Sequence, residues 1–470
     1  MTYQEEMNRA FEKVYDNTFK TAFQKPTDQK TEDEKKLLLE IYVTTDCNQN
    51  CSYCYLCKHG DELYPKEFRK PELITKNFRI FMDYLLENKM YYPERFDFFT
   101  GEIWGSQLGY DLFDILLDGI SKGFSPTRII IPSNLSFILK EETLTKMDEY
   151  IQKIRNTGVQ FAFSCSNDGL YNDVMTRPLN DPKADEELKK GTSEYYEKLF
   201  KYCKKQGFGF HPMVSAHGIK YWKENFKWWQ EQLRKYDMDP LNSIMLLEVR
   251  NDDWTDEAIK YYLEYLDYTV EYFWRNYFKN PEISVNELFS AFVHGRSKMN
   301  RPGNYQPTTL PRGKFSLGCT ISRSLVVRLG DLAIPPCHRT AYDEFLFGKF
   351  TLNEDKTKII GLTAKNMFLM NQIWLNNFTG MSKCNCCPYN NYCMKGCYGS
   401  QFEATGEILY PCESVCELYQ ARILFLYEKY SKKGILEPDG EDKHLAETIN
   451  KVKESKEYKK WMPIIQSIIA

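Results

Sequence analysis

Six short apolar runs alternate with amphipathic stretches across the first half of this 470-residue chain, and that alternation limits its fold more than any other feature. The runs span 37–44, 95–100, 127–132, 159–165, 207–214 and 243–249. Stretches with helical periodicity span 72–89, 108–122, 140–156, 193–206, 220–235 and 255–278. A helix between each strand and the next predicts a parallel sheet with right-handed crossovers. The runs show little polar alternation, as expected of strands covered on both faces. Such an array can close part-way into a TIM-like (β/α)6 barrel, with its chemistry at the C-terminal ends of the strands.

The loop leaving the first run reads CNQNCSYC and spaces Cys47, Cys51 and Cys54 as C-x3-C-x2-C. Three thiolates at this spacing can hold three irons of a 4Fe-4S cluster and leave the fourth iron open to a small molecule. Half a zinc site or three buried thiols are the alternatives. The rest of the cysteine pattern favours clusters. Of the 15 cysteines, four fall in 47–57 and seven in 384–416, and such grouping points to metal rather than disulfides.

Composition narrows the setting. The net charge of −3, from 62 basic and 65 acidic residues, offers no surface for nucleic acid or an anionic membrane. The N-terminus is charged and amphipathic, unlike a signal peptide, and no apolar run approaches the 18 or so residues that span a bilayer. A cytoplasmic protein is expected. Residues 1–35 read as a helix and linker, 36–280 as the partial barrel, and 281–318 as a Pro/Gly-rich connector. Residues 319–430 form a Cys-rich domain and 431–470 C-terminal helices. Domain size alone predicts more than one core.

The Cys47 loop resembles the CxxxCxxC signature of radical S-adenosylmethionine (SAM) enzymes, with Tyr53 as the aromatic before the last cysteine. The resemblance implies an open iron that chelates SAM and one-electron cleavage of SAM to a 5′-deoxyadenosyl radical, which abstracts hydrogen from substrate. At the end of the second run, Gly101 and Glu102 match the family's GGEP motif, although Thr100 and Ile103 depart from it. Ser133-Asn134 ends the third run in the manner of the family's Thr-Asn, placed to reach the SAM ribose or the cluster loop. Ser166, Asp168 and the downstream Arg177 resemble the S-x-D-G…R pattern that contacts sugar and methionine carboxylate.

The spacing Cys384-x2-Cys387-x5-Cys393-x3-Cys397 resembles the SPASM extension of peptide-modifying radical SAM enzymes, as does Cys319-x10-Gly330-x6-Cys337 upstream. The resemblance implies two auxiliary 4Fe-4S clusters, three in all. Cys384, Cys387 and Cys393 would hold the distal one, completed by Cys416 or Cys412, with Cys416 favoured. Cys319, Cys337 and Cys397 would hold the proximal one, completed by Cys412 or left with an open iron. Structural zinc is the alternative for the whole region. Cys57, Cys165, Cys203 and Cys386 have no place in the pattern.

His338, His211 and His217, at strand ends or beside a cluster ligand, are acid–base candidates, with His338 and His211 expected to be catalytic. In sulfatase-maturing relatives an Asp follows the cysteine corresponding to Cys337, and here His338 stands there. The expected function is an oxidoreductase that modifies a ribosomally made peptide or protein, by a crosslink or another oxidative change. A sulfatase-type maturase or an epimerase are alternatives, and an iron–sulfur electron-transfer protein is the alternative of another class. Expected partners are the peptide or protein substrate and an electron donor such as flavodoxin or ferredoxin. Residues 1–35 are too few for a leader-binding winged-helix domain, so a separate leader-binding protein is an option. Neither nucleic acid nor membrane is expected.

Overall fold

The run Leu38–Tyr42 forms β1, and all five of its residues are buried. Strands β2 (Arg95–Phe99), β3 (Arg128–Ser133), β4 (Gln160–Cys165) and β5 (Gly209–Phe210) follow it in parallel, each hydrogen-bonded to the one before. The computed structural model describes residues 2–178, 191–244, 246–277, 321, 323–374, 382–389, 393, 397–434 and 443–470.

Helices Pro71–Glu87, Gln107–Ser121, Glu141–Arg155 and Ser193–Gln206 provide the crossovers. Local chemistry sets their ends. Pro71 opens the first, where the missing N–H costs nothing. The Ser106 and Thr192 side chains cap the second and fourth, and Gly207 ends the fourth with φ 72°. In the first helix Ile74, Phe78, Phe81, Met82 and Leu85 are buried, a single stripe of helical spacing that faces the sheet.

The fifth expected strand divides. β5 ends before His211-Pro212, and Met213–Val214 (β6) pairs instead with Leu247–Glu248 (β7) in a separate parallel ladder. Pro212 has no N–H to donate, so a single ladder cannot run through it. The sixth expected run is therefore a partner of β6.

On the far side of β1 lies a strand from much later in the chain. Ser324–Arg328 (β8) runs parallel to β1, followed by the antiparallel β9 (Ala333–Ile334), β10 (Gly348–Leu352) and β11 (Ile359–Ala364). The sheet has the order β11-β10-β9-β8-β1-β2-β3-β4-β5, which makes β1 central. The α/β class is as expected.

The open edge of β11 is covered by the first helix, Tyr3–Tyr15. Asn8 Oδ1 accepts from the Ala364 N–H at 2.9 Å, Glu12 Oε1 accepts from the Leu362 N–H at 3.2 Å, and Gln4 Nε2 donates to the Ala364 carbonyl at 3.0 Å. Residues 4, 8 and 12 share one helix face, so a polar stripe replaces the missing neighbour strand.

The chain forms two compact units: 1–167, 177–210 and 320–378 in the first, and 168–176, 211–319 and 379–470 in the second. The first holds the nine-stranded sheet. The second holds β6, β7 and the helices Trp222–Lys235, Asp256–Tyr277, Glu413–Lys432 and Lys456–Ile469 around buried Trp222, Trp229, Trp254 and Trp461. Within it Glu248 Oε1 accepts from Arg422 Nη1 at 2.9 Å and from the Tyr262 hydroxyl at 2.6 Å, all three side chains being buried. Among the described residues no helix is long and apolar enough to cross a membrane.

Candidate functional site at the strand ends

Cys47, Cys51 and Cys54 lie on the loop that leaves β1, and Cys54 is the N-cap of the helix Tyr55–Leu63. Burial pushes the Cys47 thiol up, and the charges of Glu102, Cys51 and Cys54 add to that, so the three sulfurs lie within one another's fields. Cys54 is lowered to about 6, chiefly by the Cys57 side chain, then by the Cys57 and Leu56 backbone N–H groups and by Arg177. A helix N-terminus favours such a thiolate. Three thiols, one of them readily ionised, fit the donor set of an iron–sulfur cluster. Among the described residues no three such side chains are grouped as a single metal ion requires.

The loop after β2 lies directly on the cysteine loop. Gly101 N–H donates to the Thr44 carbonyl at 3.0 Å and Glu102 N–H to the Asp46 carbonyl at 2.9 Å. A Cβ at Gly101 would stand 1.8 Å from the Asp46 carbonyl oxygen, so only glycine permits this approach.

Asn134 joins three of these loops. Its N–H donates to Glu102 Oε2 at 2.6 Å, and its Nδ2 donates to Oδ1 of Asn48, inside the cysteine loop, at 2.9 Å. Its Oδ1 accepts from the Ser136 N–H at 2.9 Å. Ser133 Oγ also donates to Glu102, at 3.0 and 3.1 Å to the two oxygens. Ser166, half-buried at the end of β4, is tied in through its N–H to the Ser133 carbonyl at 2.8 Å.

Arg177 reaches the same loop from the other direction. Nη1 donates to the Tyr53 hydroxyl at 2.7 Å and Nη2 to Gln49 Oε1 at 3.2 Å, while the Asn50 N–H donates to the Pro178 carbonyl at 2.8 Å. The structure thus brings together Cys47, Cys51, Cys54, Tyr53, Gly101, Glu102, Ser133, Asn134, Ser166 and Arg177.

His338 lies beside β1 and β2. Its Nδ1 is 2.6 Å from Glu40 Oε1 of β1, and its ring stacks on Phe99 at the end of β2. Cys337 just before it donates its N–H to Thr340 Oγ1 at 3.2 Å. On β2, burial raises the Asp97 carboxyl to about 6, with Arg95 opposing and Glu40 adding to the rise.

The remaining candidates belong to the second unit. Asp168 is fully buried, and its carboxylate accepts from Thr176 Oγ1 at 2.7 Å and from the Met213 N–H at 2.9 Å. His211 is half-buried in the link between β5 and β6. Cys384, Cys387, Cys393 and Cys416 line one largely apolar cavity of about 70 Å³. The Cys416 thiol is raised to about 12 by burial and by the neighbouring Cys393, Cys384 and Cys387, with Lys383 opposing. Cys412 is not in that lining; its Sγ is 3.4 Å from Ser414 Oγ. Cys397 is the N-cap of the helix Tyr398–Thr405. Cys319 lies outside the described residues.

Sequence reasoning passed over Asn48, Gln49, Glu40, Phe99, Asn167 and Tyr195. The first two sit inside the cysteine triplet and Asn167 inside the Ser166–Asp168 motif, so position was an available signal. Tyr195 carries none beyond its place in an amphipathic helix.

No family model matches the chain, and no curated protein matches it. Among solved structures it is similar to a tagged form of anSMEcpe with bound AdoMet, an anaerobic sulfatase-maturating enzyme, at 14% identity and a TM-score of 0.52 over 84% of this chain and 98% of that one. It is similar to Streptococcus suis SuiB bound to S-adenosylmethionine, and to SuiB bound to the precursor peptide SuiA, each at 15% identity and a TM-score of 0.42 over 81% of this chain and 75% of that one. The likeness to anSMEcpe shows that this chain shares that fold.

Proposed function

We propose that this chain is a radical SAM/SPASM enzyme that abstracts hydrogen from a peptide or protein and so installs a post-translational modification such as a crosslink. The observation that carries the reading is the convergence of the Cys47, Cys51 and Cys54 loop with Glu102 and Asn134 at the ends of successive parallel strands and with Arg177, which follows the helix Leu170–Thr176. It occurs in a fold shared with a protein that holds AdoMet. When bound, the loop cluster and SAM would supply the radical chemistry that abstracts hydrogen, and the auxiliary clusters would supply a sink for the second electron.

The residues of the chain hold and orient. Cys47, Cys51 and Cys54 bind the cluster, and Arg177 fixes their loop through Tyr53 and Gln49. Glu102 and the Gly101 backbone would hold the SAM amino group, with Ser133 and Asn134 orienting the Glu102 carboxylate by hydrogen bonding. Ser166 would contact the sugar, while the Asp168 carboxylate is engaged by Thr176 and the Met213 N–H. Cys384, Cys387, Cys393 and Cys416 hold the distal cluster; Cys319, Cys337 and Cys397 belong to the proximal one, with Cys412 as its further candidate. His338, oriented by Glu40 and Phe99, accepts the proton released after abstraction, with His211 the second candidate.

A flavodoxin or ferredoxin would supply the electron. The fold shared with anSMEcpe favours a sulfatase-type maturase as the second reading, against which stands His338 in the place of an Asp.

The test is anaerobic reconstitution followed by dithionite and SAM. About twelve irons per chain and formation of 5′-deoxyadenosine are expected, from three four-iron clusters. A fully iron-loaded protein that yields no 5′-deoxyadenosine would overturn the enzyme reading.

A further inference from the structure

One chain of buried hydrogen bonds runs from the helix Ser193–Gln206 to the cysteine loop. Cys165 Sγ donates to Asn167 Oδ1 at 2.7 Å, and Asn167 Nδ2 donates to the Tyr195 hydroxyl at 2.7 Å. That hydroxyl donates onward to the Asn134 carbonyl at 3.2 Å. Asn134 in turn holds Asn48 of the cysteine loop and Glu102 of the loop after β2. Asn167 and Tyr195 are both fully buried.

With its N–H, carbonyl, Nδ2 and Oδ1 all engaged by protein, Asn134 works as a hub between loops. Three of those four bonds come from the loops themselves, which a ligand must enter and leave. The fourth comes from outside them, from a helix. A phenol has one proton to donate, and the Asn167 amide, by donating to the Tyr195 oxygen, leaves that proton for Asn134. The hydroxyl's direction is thereby fixed by a residue between Ser166 and Asp168.

We propose that Tyr195 and Asn167 are positioning residues that set Asn134, and through it the Asn48 side of the cysteine loop, in the pose that binds SAM. The inference rests on the reading of this loop as the SAM site. Residues that orient the holders of a metal group act with effects of about 10- to 100-fold when removed.

Tyr195→Phe removes one oxygen and no carbon, so the ring packing is kept. Asn167→Asp replaces the donor by an acceptor, which draws the Tyr195 proton away from Asn134. Tyr202→Phe is the control, since that hydroxyl on the same helix donates to Asp148 Oδ1 at 2.8 Å, away from the loop.

In the reconstituted protein, Tyr195→Phe and Asn167→Asp are expected to keep their iron and to raise the KM for SAM about tenfold with kcat little changed. The SAM-induced change in the cluster's EPR spectrum moves to correspondingly higher SAM. Without any cluster, amide exchange at residues 134–136 becomes about tenfold faster in both variants and not in Tyr202→Phe. Wild-type exchange at 134–136 in both variants overturns the proposal, as does an equal effect of Tyr202→Phe on SAM binding. A wild-type protein that loads iron but neither binds nor cleaves SAM overturns the SAM-site reading instead, and the exchange result then reports on the tether alone.

Discussion

The imidazole of His338 lies flat on the ring of Phe99, with centroids 3.6 Å apart and planes 5° from parallel. Its Nδ1 at the same time touches Glu40 Oε1 at 2.6 Å, on a residue that is 6% exposed. Two adjacent strands thus fix one histidine, one through its ring face and the other through its ring edge.

Replacing His338 by Phe keeps the stack and strands Glu40. A buried polar group without its partner costs about 1–3 kcal/mol, so the unfolding free energy read by denaturant falls by that amount. If His338 acts after hydrogen abstraction, 5′-deoxyadenosine still forms while modified product drops about 100-fold. Product formed at the wild-type rate would remove His338 from the chemistry.

Gly101→Ala places a methyl group 1.8 Å from the Asp46 carbonyl, so the loops of β1 and β2 must part. Overpacking of this kind costs about 1–3 kcal/mol, read by chemical denaturation. Iron retained after reconstitution falls with it, because the same contact shapes the Cys47 loop.

The second unit offers a direct comparison between two cysteines. Cys416→Ser is expected to lower iron by about four per chain, the content of one cluster, whereas Cys412→Ser keeps the distal cluster. Cys416 shares a cavity with Cys384, Cys387 and Cys393, and Cys412 is absent from its lining. Equal losses in the two variants would contradict the assignment.

Arg422 is 2% exposed and its partner Glu248 8%. Arg422→Ala removes the guanidinium that faces the buried Glu248 carboxylate, at a cost of about 3–5 kcal/mol. The double variant Arg422→Met, Glu248→Leu recovers most of that, since the expense lies in a buried charge that has lost its counter-charge at Arg422. Thermal or denaturant unfolding of the two variants decides it.

Asp97 gives a pH dependence with a definite sign. Burial raises its carboxyl to about 6, so the folded state holds this proton more tightly than the unfolded chain does. Its contribution is greatest below the unfolded pKa of about 3.9 and is lost as pH rises through about 6. Asp97→Asn therefore gains roughly 2–3 kcal/mol over the native protein at pH 7 and nothing at a pH of about 3.5. A gain independent of pH would contradict the burial argument.

Much of the first unit was legible because its signals are local. Leu38–Tyr42, Arg95–Phe99, Arg128–Ser133 and Gln160–Cys165 fall inside the expected runs to within a residue, although only β1 is buried along its whole length and β3 and β4 alternate buried with less buried positions. The 207–214 run misled because its composition is strand-like throughout, and one missing N–H at Pro212 divides it. The N-terminal helix was visible by its periodicity, but not the strand edge that Gln4, Asn8 and Glu12 cover.

By itself the sequence determined the strand–helix alternation, the cysteine spacings and the polar residues at each strand end, since each depends on neighbours a few positions away. Only the tertiary structure decided that β8 lies beside β1, that Cys416 shares a cavity with Cys384, Cys387 and Cys393, and that Asn134 is tied to Tyr195. Strand neighbours and hydrogen-bond partners are chosen by which groups meet when the backbone folds, and residues 134 and 195 carry no periodic mark of that meeting.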